Sequence, residues 1–279
     1  MSDEKHFGAR LASAIEVRGP LCVGIDPHPG LLDAWGLNRN AVGVERFGRT
    51  LVEALGDRVA VLKPQSAFFE RYGSRGVAAL ERTIADARSA GALVIADVKR
   101  GDIGSTVEGY AAAYLDPAST LGCDAMTASP YLGVGSLAPL VAAAHAHGTG
   151  VFVLALTSNP EGASVQRAVT AGGRTVAQSV LDAVGELNVG YAPYGPVGVV
   201  VGATLGETGH DLSRLNGPFL APGLGAQGGT AESLREVFGA GRGAVLPSVS
   251  REVLSAGPDL AALRTAAAES VEAFRIALA

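Results

Sequence analysis

Apolar runs of strand length recur along the chain at Leu21–Ile25, Val59–Leu62, Ala92–Val98, Asp124–Ala128, Val151–Leu156, Val197–Val201, Pro218–Ala221 and Ala244–Leu246. Helical periodicity fills most of the intervals, at Val42–Leu55, Gly76–Ala90, Ser105–Tyr114, Ser136–His147, Val165–Leu187, Ala231–Phe238 and Leu260–Leu278. The stretch Leu205–Leu215 is the weakest of the series. The strand-length runs are rich in Val, Ile and Ala and lack polar alternation, as expected of a parallel sheet buried on both faces. Eight of them alternating with helices predict an α/β fold closed as a (β/α)8 TIM barrel rather than an open doubly wound sheet. At 279 residues the chain fits one such domain, spanning 1–279, since these barrels usually take roughly 250 residues.

Composition sharpens the picture. With 48% hydrophobic and 18% charged residues, the chain can bury a large core and lies far from the composition of disorder. A net charge of −5 with scattered basic residues excludes a nucleic-acid surface. No apolar segment is long enough to span a bilayer, and the N-terminal residues lack the apolar stretch of a leader. The expectation is a soluble cytoplasmic protein with no membrane partner. Cys22 falls inside a strand-like run and Cys123 at the start of another, which suits buried small hydrophobes in a reducing compartment. His145 and His147 are two apart on a helix, so they point to different faces and form no metal box. Neither metal nor cofactor is expected.

Charge gathers at strand ends. The third run reads Leu93-Val94-Ile95-Ala96-Asp97-Val98-Lys99 and then breaks at Arg100-Gly101-Asp102, and the C-terminal end of the strands is the catalytic face of a barrel. Asp97 and Lys99 share a strand face, with Asp102 on the loop. Asp26 closes the first strand, and Lys63 closes the second just before Pro64. Any one such charge is more readily an isolated strand-end ion pair, but four at the same end of three consecutive strands point to one mouth. A lysine held between the carboxylates of Asp97 and Asp102 stays cationic. That opposes Schiff-base chemistry, which wants a desolvated lysine or one beside another cation. It suits stabilising a developing carbanion and then protonating it. A carboxylate such as Asp97 aimed at the same point disfavours a bound anionic group, most simply a substrate carboxylate about to leave as CO2.

The stretch Asp97-Val98-Lys99-Arg100-Gly101-Asp102-Ile103-Gly104-Ser105-Thr106 closely resembles the D-x-K-x-x-D-I-x-x-T signature of the orotidine 5′-phosphate decarboxylase family. Asp26 and Lys63 resemble that family's ribose-binding aspartate and network lysine, and Pro222-Gly223-Leu224-Gly225-Ala226-Gln227-Gly228-Gly229 is similar to its P-G-x-G-A-Q-x-G loop. The stretch Thr157-Ser158-Asn159-Pro160-Glu161-Gly162 and the overall length resemble the longer bacterial branch. The resemblance implies decarboxylation of orotidine 5′-monophosphate to UMP without metal or cofactor. In it Lys99 protonates C6 of the pyrimidine, Asp97 crowds the departing carboxylate and Lys63 joins the network. It also implies a homodimer in which Asp102, Ile103 and Thr106 reach into the neighbouring subunit's site. Ser129 matches a residue that hydrogen-bonds the pyrimidine, and Arg251 stands where the family places its phosphate-gripping arginine.

Several stretches carry a second reading. Gly223, Gly225 and Gly228 satisfy the dinucleotide G-x-G-x-x-G pattern, but they follow the seventh strand, and no ribose-clamping acid ends the next one. A phosphate nest of backbone amides after strands seven and eight is the expected use of those glycines. Arg251 supplies a planar guanidinium to the same phosphate, and Gln227 can bridge phosphate and ring with its two-sided amide. Ser105 with Glu108 reads as a capping box for the third helix. His28, Trp35, Tyr72 and Tyr110 read as packing or surface residues. The competing functions are a magnesium-dependent sugar-phosphate lyase, which would want a metal ligand where Lys63 stands, and a catalytically silent nucleotide-binding barrel.

Overall fold

The computed structural model describes residues 6–239 and 244–279. Eight parallel strands close on themselves in chain order: β1 (Cys22–Ile25), β2 (Val61–Pro64), β3 (Leu93–Arg100), β4 (Ala125–Ala128), β5 (Gly150–Leu156), β6 (Val197–Val201), β7 (Phe219–Pro222) and β8 (Val245–Val249). The seam is sealed by β1 against β8, with Cys22 opposite Ser248 and Val23 opposite Val249. The helices are α1 (Phe7–Arg18), α2 (Pro29–Ala34), α3 (Ala41–Leu55), α4 (Ser66–Glu70), α5 (Gly73–Ser89), α6 (Gly104–Tyr114), α7 (Ala138–His147), α8 (Ala163–Gln166), α9 (Val176–Leu187), α10 (Ala231–Phe238), α11 (Arg251–Leu254) and α12 (Leu260–Leu278).

Strand alternation divides the apolar residues into two cores. Inside the barrel, Cys22, Val61, Ile95, Phe152, Leu220 and Leu246 pack together, while their neighbours along the strands, such as Val23, Leu62 and Val94, face the helices. The N-terminal end of the barrel is stoppered by α1. Phe7 and Leu11 are fully buried in the inner core, and the Phe7 ring meets Phe152 edge-on with centroids 5.8 Å apart. A Cβ at Gly150 would stand 2.3 Å from the Phe7 ring, so the first residue of β5 must be glycine for the stopper to seat. Arg10 fastens the helix by pairing with Asp124 and donating to the Gly148 carbonyl. Asp124 in turn accepts from the Val94 amide at 2.9 Å. The sequence reading had no element here, because only a narrow stripe of α1 is apolar.

Other departures have local causes. The continuous helix expected over Val165–Leu187 is broken into α8 and α9, because Gly173 takes a left-handed φ of 77° and Thr170 turns the chain by bonding the Arg174 carbonyl. Helix α9 then restarts with Thr175 accepting from the Gln178 amide. The expected capping box at Ser105 and Glu108 does not form: α6 starts at Gly104 after an extended Ile103, with no side-chain cap. Ser105 is already inside the first turn, where its backbone is helical and its hydroxyl no longer sits at the cap position. Strand β2 runs on to Pro64, because Gly24 and Ile25 pair with Lys63 and Pro64, which places Lys63 in the sheet. Between β6 and β7 the chain forms turns with no helix among the described residues.

Trp35 is a packing residue as expected, lying 4.2 Å from the Phe47 ring with its indole N–H donating to the Leu254 carbonyl. Cys22 and Cys123 are buried free thiols, and burial pushes both up to about 12. Removing the stopper should cost what other large core truncations cost. Phe7→Ala is expected to lower unfolding stability by about 3 kcal/mol, while Val17→Ala, on the exposed side of α1, should change it by less than about 0.5 kcal/mol. Denaturant unfolding of the two variants checks this, and equal midpoints would mean that α1 is not a structural part of the barrel.

Candidate active site

The charged strand ends converge at the C-terminal mouth around one carboxylate. Lys63 donates to Asp97 Oδ2 at 3.0 Å, and Lys99 donates to Asp97 Oδ1 at 2.6 Å. Asp97 and Lys63 are buried, with side chains 9% and 7% exposed, whereas the Lys99 side chain is 47% exposed. One lysine is therefore part of the interior and the other faces the open mouth.

A fourth group was not anticipated. Thr127, the only polar side chain in β4, donates its hydroxyl to Asp97 Oδ1 at 2.9 Å. Thr127 Oγ1 in turn accepts from the amides of Val98 at 3.0 Å and Lys99 at 2.9 Å. The β3–β4 register slips here: Ala96 faces Met126 and Arg100 faces Ala128, so four steps on β3 match two on β4. Lys99 sits in this bulge with a left-handed φ of 45°. A lone hydroxyl in an otherwise apolar strand was the available signal.

Burial alone would push the Asp97 carboxyl up, but the charges and hydrogen bonds of Lys63 and Lys99 hold it well below the usual carboxylate range. Burial likewise works against the Lys63 charge, yet the carboxylates of Asp97 and Asp26 hold the ammonium above its ordinary value. At neutral pH the network thus holds an ionised, buried Asp97 against the Lys63 ammonium, with Lys99 Nζ on its other oxygen.

Asp102 is not part of that network within the chain. Its Oδ1 accepts from the Ile103 amide at 2.8 Å and it forms no ion pair with Lys99, so the expectation of a lysine held between two carboxylates is met only on the Asp97 side. The reason is the bulge and the turn after it, which carry Asp102 out onto the loop leading into α6. Ile103 and Thr106 are exposed on the same segment, Ile103 to 62%.

The remaining expected residues ring the mouth. Asp26 follows β1, with Oδ1 buried and without a protein partner. Ser129 follows β4 and donates its amide to the Arg100 carbonyl at 2.8 Å. Pro222 ends β7, its carbonyl accepting from the Ala203 amide. Gln227 is exposed in the turn after β7, and Arg251 is exposed at the start of α11 after β8. The glycine loop is less open than expected. Gly225 donates to the Gly229 carbonyl, Gly228 to Gly225 and Gly229 to Gly223, so two of the three glycine amides expected in a phosphate nest, those of Gly225 and Gly228, are spent inside the loop in this conformation. The Ser250 hydroxyl is buried without a protein partner, a feature sequence reading left without a role. Among the described residues no three His, Cys, Asp or Glu side chains form a metal-ligating group.

Residues 19–266 match the model of the orotidine 5′-phosphate decarboxylase / HUMPS family. The chain belongs to that family. An orotidine 5′-phosphate decarboxylase of Salinispora arenicola is 68% identical over 272 residues, covering 98% of both chains. A crystal structure designated orotidine 5′-phosphate decarboxylase, from Streptomyces avermitilis, aligns with a TM-score of 0.96 at 59% identity over 100% of this chain and 97% of that one. The structure of Leishmania donovani OMP decarboxylase aligns with a TM-score of 0.78 at 31% identity, covering 98% of each chain. Membership of the orotidine 5′-phosphate decarboxylase / HUMPS family agrees with the strand-three signature and with the closed barrel.

The charge network sets a pH profile for stability. Asp97 ionises at lower pH folded than unfolded, so its contribution is complete above the unfolded value near pH 4 and is drawn down as the pH falls below it. Lys63 is shifted the other way, so its contribution is complete below the unfolded value near pH 10 and is lost as the pH rises beyond it. Asp97→Asn leaves a buried ammonium without its counter-charge and is expected to cost about 3 kcal/mol or more on the plateau between these limits. Denaturant midpoints at acid, neutral and alkaline pH measure this. A variant as stable as the native chain at neutral pH would show that the pair contributes nothing net.

Proposed function

We propose that the chain decarboxylates orotidine 5′-monophosphate to UMP and CO2, the last step of de novo pyrimidine synthesis, with Lys99 as proton donor and Asp97, Lys63 and Asp102 completing the charge network. The observation that carries this reading is the ionised Asp97 carboxylate, buried and fixed between Lys63 and Lys99 at the mouth of the barrel. A substrate carboxylate brought beside it meets an anion that cannot withdraw, which raises the energy of the bound acid relative to the transition state. Cleavage of the C6–carboxylate bond leaves the electron pair on C6 and releases CO2. Lys99 Nζ, with one proton committed to Asp97 and two others to spare, stabilises the carbanion and then donates a proton to C6. Its exposure lets solvent restore that proton. Lys63 is buried and has no such access, so its part is to hold Asp97 charged and in place.

The binding residues follow the ring of strand ends. Asp26 accepts from ribose hydroxyls through its unpartnered oxygen, Ser129 and Gln227 meet the pyrimidine, and Pro222, Gln227 and Arg251 line the phosphate end. Asp102, Ile103 and Thr106 serve the site of a second copy, making the enzyme a homodimer with shared active sites. The exposure of Ile103, Tyr131 and Leu132 on loops that touch through Gly101 and Ser129 supports this. No helix among the described residues is long and apolar enough to cross a membrane, and we place this single-domain enzyme in the cytoplasm, with a small nucleotide as substrate and neither nucleic acid nor membrane as partner. The magnesium-dependent sugar-phosphate lyase fits less well, because an ammonium 3.0 Å from Asp97 occupies the place of a metal ligand.

EDTA-treated protein is expected to convert orotidine 5′-monophosphate to UMP, followed by loss of substrate absorbance, and Lys99→Ala is expected to lower kcat by about 10³-fold. No turnover by the native chain, or turnover only with added magnesium, would exclude this reaction. Binding energy from the remote phosphate is spent at the reacting centre, so Arg251→Ala should lower kcat as well as raise KM. A rise in KM alone would refute that coupling.

A further inference from the structure

We propose that Thr127 is a positioning residue for the reaction: its hydroxyl sets the direction of the Lys99 ammonium by holding the Lys99 backbone and the Asp97 carboxylate in one three-way hydrogen bond. The inference rests on the decarboxylase reading above. A hydroxyl has one proton to give and two lone pairs to accept with. At Thr127 all three are used, by Asp97 Oδ1, the Val98 amide and the Lys99 amide, at 2.9, 3.0 and 2.9 Å.

Those partners are the parts that have to be held. In a regular parallel ladder every second amide of β3 would bond a carbonyl of β4. The register slip between Ala96 and Arg100 removes those acceptors for the residues in the bulge, and the side chain of Thr127 takes their place. This supports a φ of 45° at Lys99, a conformation that a long side chain adopts only when its surroundings impose it. The bulge turns Lys99 so that Nζ meets Asp97 Oδ1 at 2.6 Å while the chain beyond it opens to the mouth. Bulges in sheets often re-aim a side chain in this way. Thr127 is itself 1% exposed and stands behind Asp97 and Lys99, so it acts through those residues. Removing its hydroxyl would orphan two backbone amides and one carboxylate lone pair together, letting the bulge relax and Nζ swing away from C6.

The test compares Thr127→Val, which keeps shape and loses the hydroxyl, with Thr127→Ser, which keeps the hydroxyl and loses a methyl. Thr127→Val is expected to lower kcat by about 10²-fold, with KM and the dissociation constant for UMP moving by less than about threefold. Thr127→Ser is expected to retain kcat within about threefold of the native enzyme. Should the valine variant not fold, Thr127→Ala carries the same expectation. A purely structural role would lower thermal stability in both variants without separating kcat from KM and without rescue by serine. Equal losses in the serine and valine variants, or a valine variant with native kcat, would overturn the proposal. Native turnover of orotidine 5′-monophosphate decides the decarboxylase reading separately, since the positioning role is read only from the ratio of variant to native rates.

Discussion

The structure is organised around one carboxylate that has been taken out of water. Burying an anion such as Asp97 costs several kcal/mol unless cations and hydrogen-bond donors surround it. Here they come from three strands: Lys63 from β2, Lys99 from β3 itself and the Thr127 hydroxyl from β4. The pairing of β2 with β3 and of β3 with β4 is what brings these groups within about 3 Å of one point. A sheet that closes in chain order keeps that arrangement rigid, and a rigid arrangement cannot relax when a second anion arrives.

Stability and chemistry occupy opposite ends of the barrel. At the N-terminal end, Phe7 and Leu11 fill the interior and Arg10 bridges to Asp124 and Gly148. On the outside, guanidinium groups close backbone ends: Arg18 reaches the carbonyls of Gly56, Val59 and Gly91, and Arg264 those of Glu53 and Ala54. At the C-terminal end the groups are arranged at some expense to local stability, with a left-handed lysine, an unpartnered Asp26 oxygen and an unpartnered Ser250 hydroxyl. Sites that work on substrates commonly retain such unsatisfied or strained groups, because a fully paired set would have nothing to offer a ligand.

Much of this was legible in the chain. Eight apolar runs separated by helices implied the closed parallel barrel, because strands buried on both faces and joined by crossovers have few other ways to pack. The charges Asp26, Lys63, Asp97 and Lys99 could be assigned to one mouth, because residues at the same end of neighbouring strands must be neighbours in space. The two cysteines could be read as buried from the strand-like runs around them, and Trp35 as a packing or surface residue because nothing in its spacing demands chemistry.

Other features depend on contacts between residues far apart in the chain, and local pattern carries no record of these. Thr127 joins Asp97 across thirty residues of sequence, and the β3 bulge that aims Lys99 is a property of the register between two strands. The α1 stopper is stabilised by its fit to Phe152 and Asp124, and a narrow apolar stripe does not reveal what it will meet. Asp102 lies only three residues from Lys99 yet bonds its own loop, because the turn after the bulge carries it away. The order of apolar and charged residues thus determined which elements form and which end of them reacts. The closure of the sheet decided the direction of each reactive atom, since hydrogen-bond geometry between strands is settled only when all eight have found their neighbours.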